Sequence, residues 1–504
     1  MAKITKLVLI FVIAIGLFFR FYHLDHKIYW HDEVYTIFRS GGFTRAEIDR
    51  ELFDGDIKSP SDLVKYLSIK PASSIQDTID SLAVEDPQHP PLYFILTRYW
   101  MKLFGNSRLA IRSLSALVSV VSLPLIYLLT IELFRDNPHG KLLGLVATAL
   151  LALSPVDILF AQTARQYSSL TLCTILSAYC LIRALETDRV VYWVCFSIGI
   201  ALSCYIHPFF ALTLIAFAVY LGLFYRAKFF TFILYSVLGL AIYSPWIVVL
   251  TSNFQRTLAT TSWATIDVGF DYLAKLWVLS FTSLFFDLDV GFNNLLTYIM
   301  RFPFVVLILL SVIHLVKDKT NKTTASFLIT SAFIPFLILV SVDLILGGKR
   351  SAVTRYLIGC FPFVQIMSAY LILRIFSCKK TIGVFVITII TIASLSSIFV
   401  SSQARTWWNK DLSYNNAPII QTVNNAQRPI VVSDLGDYFT NTGDLIGMAI
   451  DFKPDVRLLL VPMKSSLQET LERFQTNGEL FFFRPSQQLL EQIKSISLPY
   501  KIWW

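Results

Sequence analysis

Tyr29-Trp30-His31-Asp32-Glu33-Val34-Tyr35 follows directly on the first strongly apolar stretch of the chain, Leu7 to Phe21. Two adjacent carboxylates, a histidine and three aromatics stand where the chain has just left a hydrophobic environment. Ionised carboxylates so close to lipid are costly unless they face water, a cation or a substrate. Taken alone, the stretch fits an interfacial aromatic belt with two solvated acids equally well. The rest of the chain decides between the two.

With 504 residues, 55% hydrophobic content and only 15% charge, the composition is that of a polytopic membrane protein. Mean hydropathy is +0.61, and apolar runs of roughly 18 or more residues recur along the chain. The first run follows Lys3 and Lys6 and has no small-residue cleavage site behind it, which predicts a retained anchor. The net charge of +9 does not indicate nucleic acid, because the basic residues are scattered through short connectors. All six cysteines lie in or at the ends of apolar segments and none form a CxxC pair, so neither a disulfide framework nor a zinc site is supported.

A long polar stretch, residues 22–90, follows the first span. Thr44-Arg45-Ala46-Glu47 has capping-box spacing, and Ser73 or Ser74 precedes Ile75, Ile79 and Leu82 at helical intervals. Two short amphipathic helices lying on the membrane surface are expected there. Apolar runs then cover residues 109–134, 142–160, 167–185, 190–206, 209–225, 229–250, 295–316, 326–346, 356–376 and 382–400. Alternate connectors are basic: Arg135 to Lys141, Arg183 to Arg189, Arg226 with Lys228, Lys317 to Lys322, and Arg374 to Lys380. That alternation predicts about 11 spans with these connectors inside, if Tyr93 to Phe104 is too short to cross. Beyond Val400 the pattern changes. Short strands are expected over 429–433, 456–461, 479–483 and 501–504, with helices over 437–450, 465–474 and 486–493. The expected organisation is a membrane domain, residues 1–400 with its extracytoplasmic loop 22–90, followed by a small extracytoplasmic α/β domain, residues 401–504.

The segments placed outside share a chemistry that hydropathy alone does not produce. Asp32, Glu33 and His89 occupy the first loop; Arg165 and Tyr167 stand at the mouth of one span, and His207 marks the next outward turn. Tyr243-Ser244-Pro245-Trp246 follows, and Lys349, Arg350, Arg355 and Tyr356 surround the last return. Singly, an arginine here snorkels to headgroups, a histidine is an interfacial hydrogen bonder and Ser-Pro is a kink. Together they describe carboxylates and cations suited to transfer from a membrane-anchored phosphate. Cations stabilise the departing phosphate while a carboxylate takes a proton from the attacking hydroxyl.

In order along the chain, Trp30-His31-Asp32-Glu33-Val34-Tyr35, His89-Pro90-Pro91-Leu92-Tyr93 and Ala161 to Ser168 resemble motifs of the GT-C glycosyltransferases. The branch is that of the protein O-mannosyltransferases and lipid A aminoarabinose transferases. Tyr205 to Phe209, Tyr243 to Trp246 and Thr354 to Leu357 continue the resemblance, which covers about Met1 to Val400. It implies an inverting enzyme that takes sugar from a polyprenyl-phosphate donor, with Asp32 as general base and Glu33 in support. By the same resemblance His89, Tyr93, Arg165, Tyr167, His207, Arg355 and Tyr356 bind substrate. Two departures count against a protein acceptor. Leu92-Tyr93 stands where eukaryotic-type enzymes carry a basic residue, and only residues 251–286 are available for their inserted domain. The expected partners are a polyprenyl-phosphate sugar, a glycan, lipid or protein acceptor, and membrane lipid.

A transporter or flippase for an amphipathic anion is the alternative from another class. It predicts internal repeats and mid-membrane charges, and neither is evident. A non-catalytic scaffold leaves the ordered motifs unexplained. No cofactor is expected. A divalent metal would draw on Asp32 and Glu33, or on Asp54-Gly55-Asp56 and Asp287-Leu288-Asp289, although hard cations need more oxygen ligands than such pairs supply.

Overall fold

The computed structural model describes residues 2–318, 320, 322–462, 465–473, 478–494 and 500–503. Phe474 and Trp504, the ends of two expected elements, and Lys319 and Asn321 of one basic connector lie outside the described residues.

The protein is a polytopic α-helical membrane protein, and every apolar run read from the sequence is helical. Seven described helices are long and apolar enough to cross a membrane: Arg108–Leu133, Tyr167–Thr187, Arg226–Ser252, Leu295–Lys317, Lys322–Leu346, Phe361–Cys378 and Lys380–Gln403. Ala2–Phe21, Val190–Ile206 and Phe210–Phe224 account for three more runs. Leu92–Phe104, at 13 residues, reaches only about 20 Å and is too short for a roughly 30 Å hydrocarbon layer.

The packing divides the chain into two units, one of Met1–Leu24, Asp86–Tyr93 and Arg112–Gln403, the other of Asp25–Glu85, Phe94–Ile111 and Ala404–Trp504. The division differs from the expected one, because residues 25–85 fold with the C-terminal segment.

In the membrane unit the run 142–160 is broken. Gly140–Leu153 gives way at Ser154-Pro155 to Pro155–Ala161, and the two helices are bent by 60°. Proline has no N–H to continue the ladder, so the preceding carbonyls lose their partners. Arg20, fully buried, supplies them. Its guanidinium donates to the Ala152 and Leu151 carbonyls at 2.6 and 2.9 Å, and to Ser119 Oγ at 3.1 Å. A buried charge is tolerated where such partners satisfy it.

The other unit is built on a five-stranded sheet: β1 (Ile57–Lys58), β2 (Ile430–Ser433), β3 (Arg457–Leu460), β4 (Leu480–Phe483) and β5 (Tyr500–Trp503). The order is β1-β3-β2-β4-β5, parallel except for β1, which pairs antiparallel with β3 through Ile57 opposite Leu459. Ile430-Val431-Val432 and Leu480 to Phe483 are buried on both faces, as a central parallel strand requires. The helices between them, Asn441–Ala449, Leu467–Arg473 and Gln487–Ile493, fall where the sequence placed them.

The two helices expected on the membrane surface are corrected. Arg45–Leu52 is capped by Thr44 Oγ1, which accepts from the Glu47 N–H, and it buries Ile48 and Leu52 inside the unit. Ile75–Glu85 turns Thr78, Ser81, Leu82 and Glu85 inward. Thr78 and Ser81 donate to the Ser40 and Phe43 carbonyls, and Glu85 pairs with buried Arg39 at 2.9 Å. Their buried faces carry polar partners for a protein neighbour, so the apolar stripe is too narrow for a lipid-facing helix.

Candidate active site

In the membrane unit, residues that are far apart in sequence converge on His89. Its Nε2 lies 3.3 Å from Arg165 Nη2, and its Nδ1 lies 3.1 Å from the side-chain amide of Gln166. Arginine can only donate, so Nε2 accepts from Arg165, while Nδ1 faces the Gln166 side-chain nitrogen. The segment before the histidine is tied down from two sides. Trp246 Nε1 donates to the Pro87 carbonyl at 3.0 Å, and Thr260 Oγ1 donates to Gln88 Oε1 at 2.8 Å.

Arg165 is only 3% exposed. It sits in the tight turn after the broken span, where its N–H donates to the Thr163 carbonyl at 2.7 Å before the helix Tyr167–Thr187 begins. Gln162 fixes the front of that turn by donating to the Phe19 and Tyr22 carbonyls at 2.7 and 2.8 Å. Ser115 Oγ donates to the Arg165 carbonyl at 3.3 Å and receives the Tyr93 hydroxyl at 2.7 Å. Tyr93 thus braces the Arg165 backbone. Both Tyr93 and Tyr167 are buried to 1% exposure, Tyr167 with its ring 5.8 Å from the Arg165 guanidinium.

His207 lies in the turn between Val190–Ile206 and Phe210–Phe224. Its Nδ1 accepts the Phe209 N–H at 3.2 Å, which leaves the proton of the neutral ring on Nε2. Burial holds its pKa well below the usual histidine value, and the nearby Arg165 and Arg355 push it the same way. His207 is therefore a neutral donor among cations. Phe209 stacks edge-on against Tyr356 at 4.3 Å, linking this turn to the segment that carries Arg355.

That segment is held by one buried acid. Asp343 accepts from Arg350 Nη1 at 3.1 Å and from the Ser351 N–H at 2.6 Å. Arg350 is occupied there, whereas Arg355 and Lys349 share the face of Trp263, at 5.1 and 5.6 Å from the ring centre. Trp263 was not among the residues the sequence singled out. A tryptophan serving two cations 86 and 92 positions on leaves no mark in local spacing.

In the other unit, Asp32 opens the helix His31–Gly41 and is hydrogen-bonded to His31, Oδ1 to Nε2 at 2.9 Å. Its side chain keeps 16% exposure. Glu33 is buried and accepts the Trp30 N–H at 3.0 Å, satisfying a donor at the helix start. The two adjacent acids thus have different environments, one accessible and one used in capping. Of the two Asp-x-Asp spacings, Asp54 pairs with Lys58 at 2.5 Å, and Asp287 is buried against Arg301 at 3.0 Å. Among the described residues, no three His, Cys, Asp or Glu side chains gather as a metal site.

Residues 88–249 match the family of dolichyl-phosphate-mannose-protein mannosyltransferases. The matched region begins one residue before His89 and includes Arg165, His207 and Trp246; Asp32 and Arg355 lie outside it. No curated protein matches the sequence. The chain is similar in structure to ArnT from Cupriavidus metallidurans. With undecaprenyl phosphate bound, the TM-score is 0.53 at 12% identity, over 93% of this chain and 87% of that one. For the apo form it is 0.55 at 12% identity, over 97% and 94%. The apo oligosaccharyltransferase of Archaeoglobus fulgidus is also similar, with a TM-score of 0.51 and 13% identity, over 91% of this chain and 65% of that one. In fold, then, this chain has the architecture of ArnT and of the Archaeoglobus fulgidus oligosaccharyltransferase, and over residues 88–249 it matches the dolichyl-phosphate-mannose-protein mannosyltransferase family.

Proposed function

We propose that the protein transfers a glycosyl group from a polyprenyl-phosphate-linked donor to a hydroxyl acceptor on the extracytoplasmic side of the membrane, with inversion. The observation that carries this reading is the convergence of His89, Arg165, His207 and Arg355 at one end of the membrane unit's helices. The basic connectors stand at the opposite ends: Tyr167–Thr187 starts beside Arg165 and ends before Arg189, and Val190–Ile206 ends at His207. The positive-inside rule favours these connectors on the cytoplasmic side, which supports a cluster on the outer side.

Two arginines and a neutral imidazole N–H suit a phosphate that gains charge as it leaves. In the single displacement, the acceptor oxygen bonds to the anomeric carbon, the carbon–phosphate oxygen bond breaks, and the acceptor's proton passes to Asp32. Polyprenyl phosphate departs with the bonding pair. Asp32 suits the base role because its carboxylate stays accessible, whereas that of Glu33 is used by its own helix. ArnT bound to undecaprenyl phosphate shares the fold, which supports a lipid-phosphate donor here. The reading names no metal: Asp54 is paired with Lys58 and Asp287 with Arg301.

The test is transfer from labelled dolichyl-phosphate mannose and undecaprenyl-phosphate sugars, with full-length protein in detergent and membrane extracts as acceptor source. Asp32→Asn keeps the size and removes the basicity, so about 10²–10⁴-fold loss of turnover is expected. Glu33→Gln still accepts the Trp30 N–H and should lose far less. Wild-type turnover in Asp32→Asn overturns the assignment.

A further inference from the structure

The C-terminal segment has no part in the chemistry above, yet its polar interior is directed at the helix that carries Asp32. A helix start leaves backbone N–H groups without partners. At His31–Gly41, Glu33 takes the Trp30 N–H, and the His31 N–H goes to Ser413 Oγ at 3.0 Å, 382 residues downstream. A hydroxyl that accepts there must send its own proton elsewhere, and Ser413 donates to Asp444 Oδ1 at 2.6 Å. Asp444 is fully buried and accepts two further donors, Asn416 Nδ2 at 2.8 Å and Arg484 Nη1 at 2.5 Å. The carboxylate is thereby fixed from three sides. Arg484 reaches it from a backbone φ of +38°, a conformation a non-glycine residue holds only when its surroundings impose it.

The backbone contact is as close as the polar one. Gly443 and Gly447 are four apart on the helix Asn441–Ala449, so both lie on one face. A Cβ on Gly443 would stand 2.6 Å from the Tyr35 ring and 3.2 Å from His31 Cβ; one on Gly447 would stand 3.2 Å from the Tyr29 carbonyl oxygen. Lys410 adds a cation 4.9 Å from the Trp30 ring centre. His31, which this arrangement holds by its backbone, holds the Asp32 carboxylate by its ring.

We infer that the C-terminal segment is the mount of the Asp32 carboxylate: Ser413, fixed by Asp444 and Arg484, is a positioning residue that sets the first turn of the His31–Gly41 helix. The inference rests on the reading of Asp32 as the base. A base displaced by about 1 Å loses on the order of 10²-fold in rate while the donor site is untouched.

The experiment uses full-length protein in detergent, labelled dolichyl-phosphate mannose for turnover and undecaprenyl phosphate for binding at the donor site. Ser413→Ala and Asp444→Asn are expected to lower kcat about 10–100-fold with the donor KM and undecaprenyl phosphate affinity unchanged. Ser413→Thr, which keeps the hydroxyl, restores kcat. Wild-type kcat in Ser413→Ala and Asp444→Asn, with Asp32→Asn inactive, overturns the positioning role and leaves Asp32 as the base. Equal losses of kcat and undecaprenyl phosphate affinity also overturn it, since they mark general damage to the protein. Activity in Asp32→Asn refutes the base assignment itself.

Discussion

Replacing His89 by alanine removes the acceptor that orients Arg165. The bond is long, 3.3 Å between Nε2 and Nη2, but it is charge-assisted and Arg165 is 3% exposed, so water does not readily substitute. Hydrogen bonds to charged groups contribute about 1.5–3 kcal/mol, and the length places this one at the low end, about 1.5 kcal/mol. Since about 1.4 kcal/mol is a factor of ten in an equilibrium constant, donor affinity should fall roughly tenfold in His89→Ala. Deleting the arginine outright, in Arg165→Ala, removes the charge itself and should cost about 10²–10³-fold in turnover. Glutamine in place of His89 puts an amide oxygen near the Nε2 position and should recover most of the loss; asparagine is too short and should not. The assay is undecaprenyl phosphate binding to purified protein, measured by displacement of labelled lipid at equal folded fraction. Wild-type affinity in His89→Ala, with Arg165→Ala impaired, would show that Arg165 is held by its turn and not by the histidine.

Arg355→Ala should weaken donor binding and turnover, whereas Arg350→Ala, which breaks the pair with Asp343, should lower thermal stability first; unfolding and lipid-binding curves on the same samples separate the two. Trp263→Leu removes the face shared by Arg355 and Lys349 and should raise the donor KM several-fold, with Trp263→Phe in between, the cation–π contribution being about 0.5–2 kcal/mol. His207 has a folded pKa below its unfolded value of about 6.5, so only the unfolded chain takes up its proton as pH falls. Its contribution is therefore neutral above about pH 6.5 and destabilising below, and His207→Asn should flatten the decline of Tm between about pH 7 and 5. Gly348→Ala should destabilise the segment that carries Arg350 and Arg355, because Gly348 sits at φ +126° with a Cβ position 2.4 Å from Arg350 Nη1 and 2.7 Å from the Ala264 carbonyl; thermal unfolding reads it.

Local pattern carried much of this protein. Apolar runs of span length, basic connectors at alternate ends and strand-length apolar runs beyond Val400 are all properties of neighbouring residues. Hydropathy and periodicity therefore located the membrane helices, and the strands β2 to β5 to within a residue or two. The order of the motifs likewise named the residues that converge, His89, Arg165, His207 and Arg355. Which partner each polar group takes is a different kind of fact. Glu33 reads as a second acid beside Asp32, and only the fold shows its carboxylate on the Trp30 N–H. Arg350 and Arg355 are alike in sequence, yet buried Asp343 claims one and Trp263 carries the other. Tyr93 reads as a substrate ligand and turns inward to brace Arg165 through Ser115. Two residues of the first loop, Ile57 and Lys58, add a strand to a sheet made 400 residues later, and Ser413 reaches back to His31. Such pairings rest on hydrogen bonds and ring contacts of a few ångströms between segments that share no periodicity. The chain encodes each group that can pair, and only tertiary packing decides which ones meet.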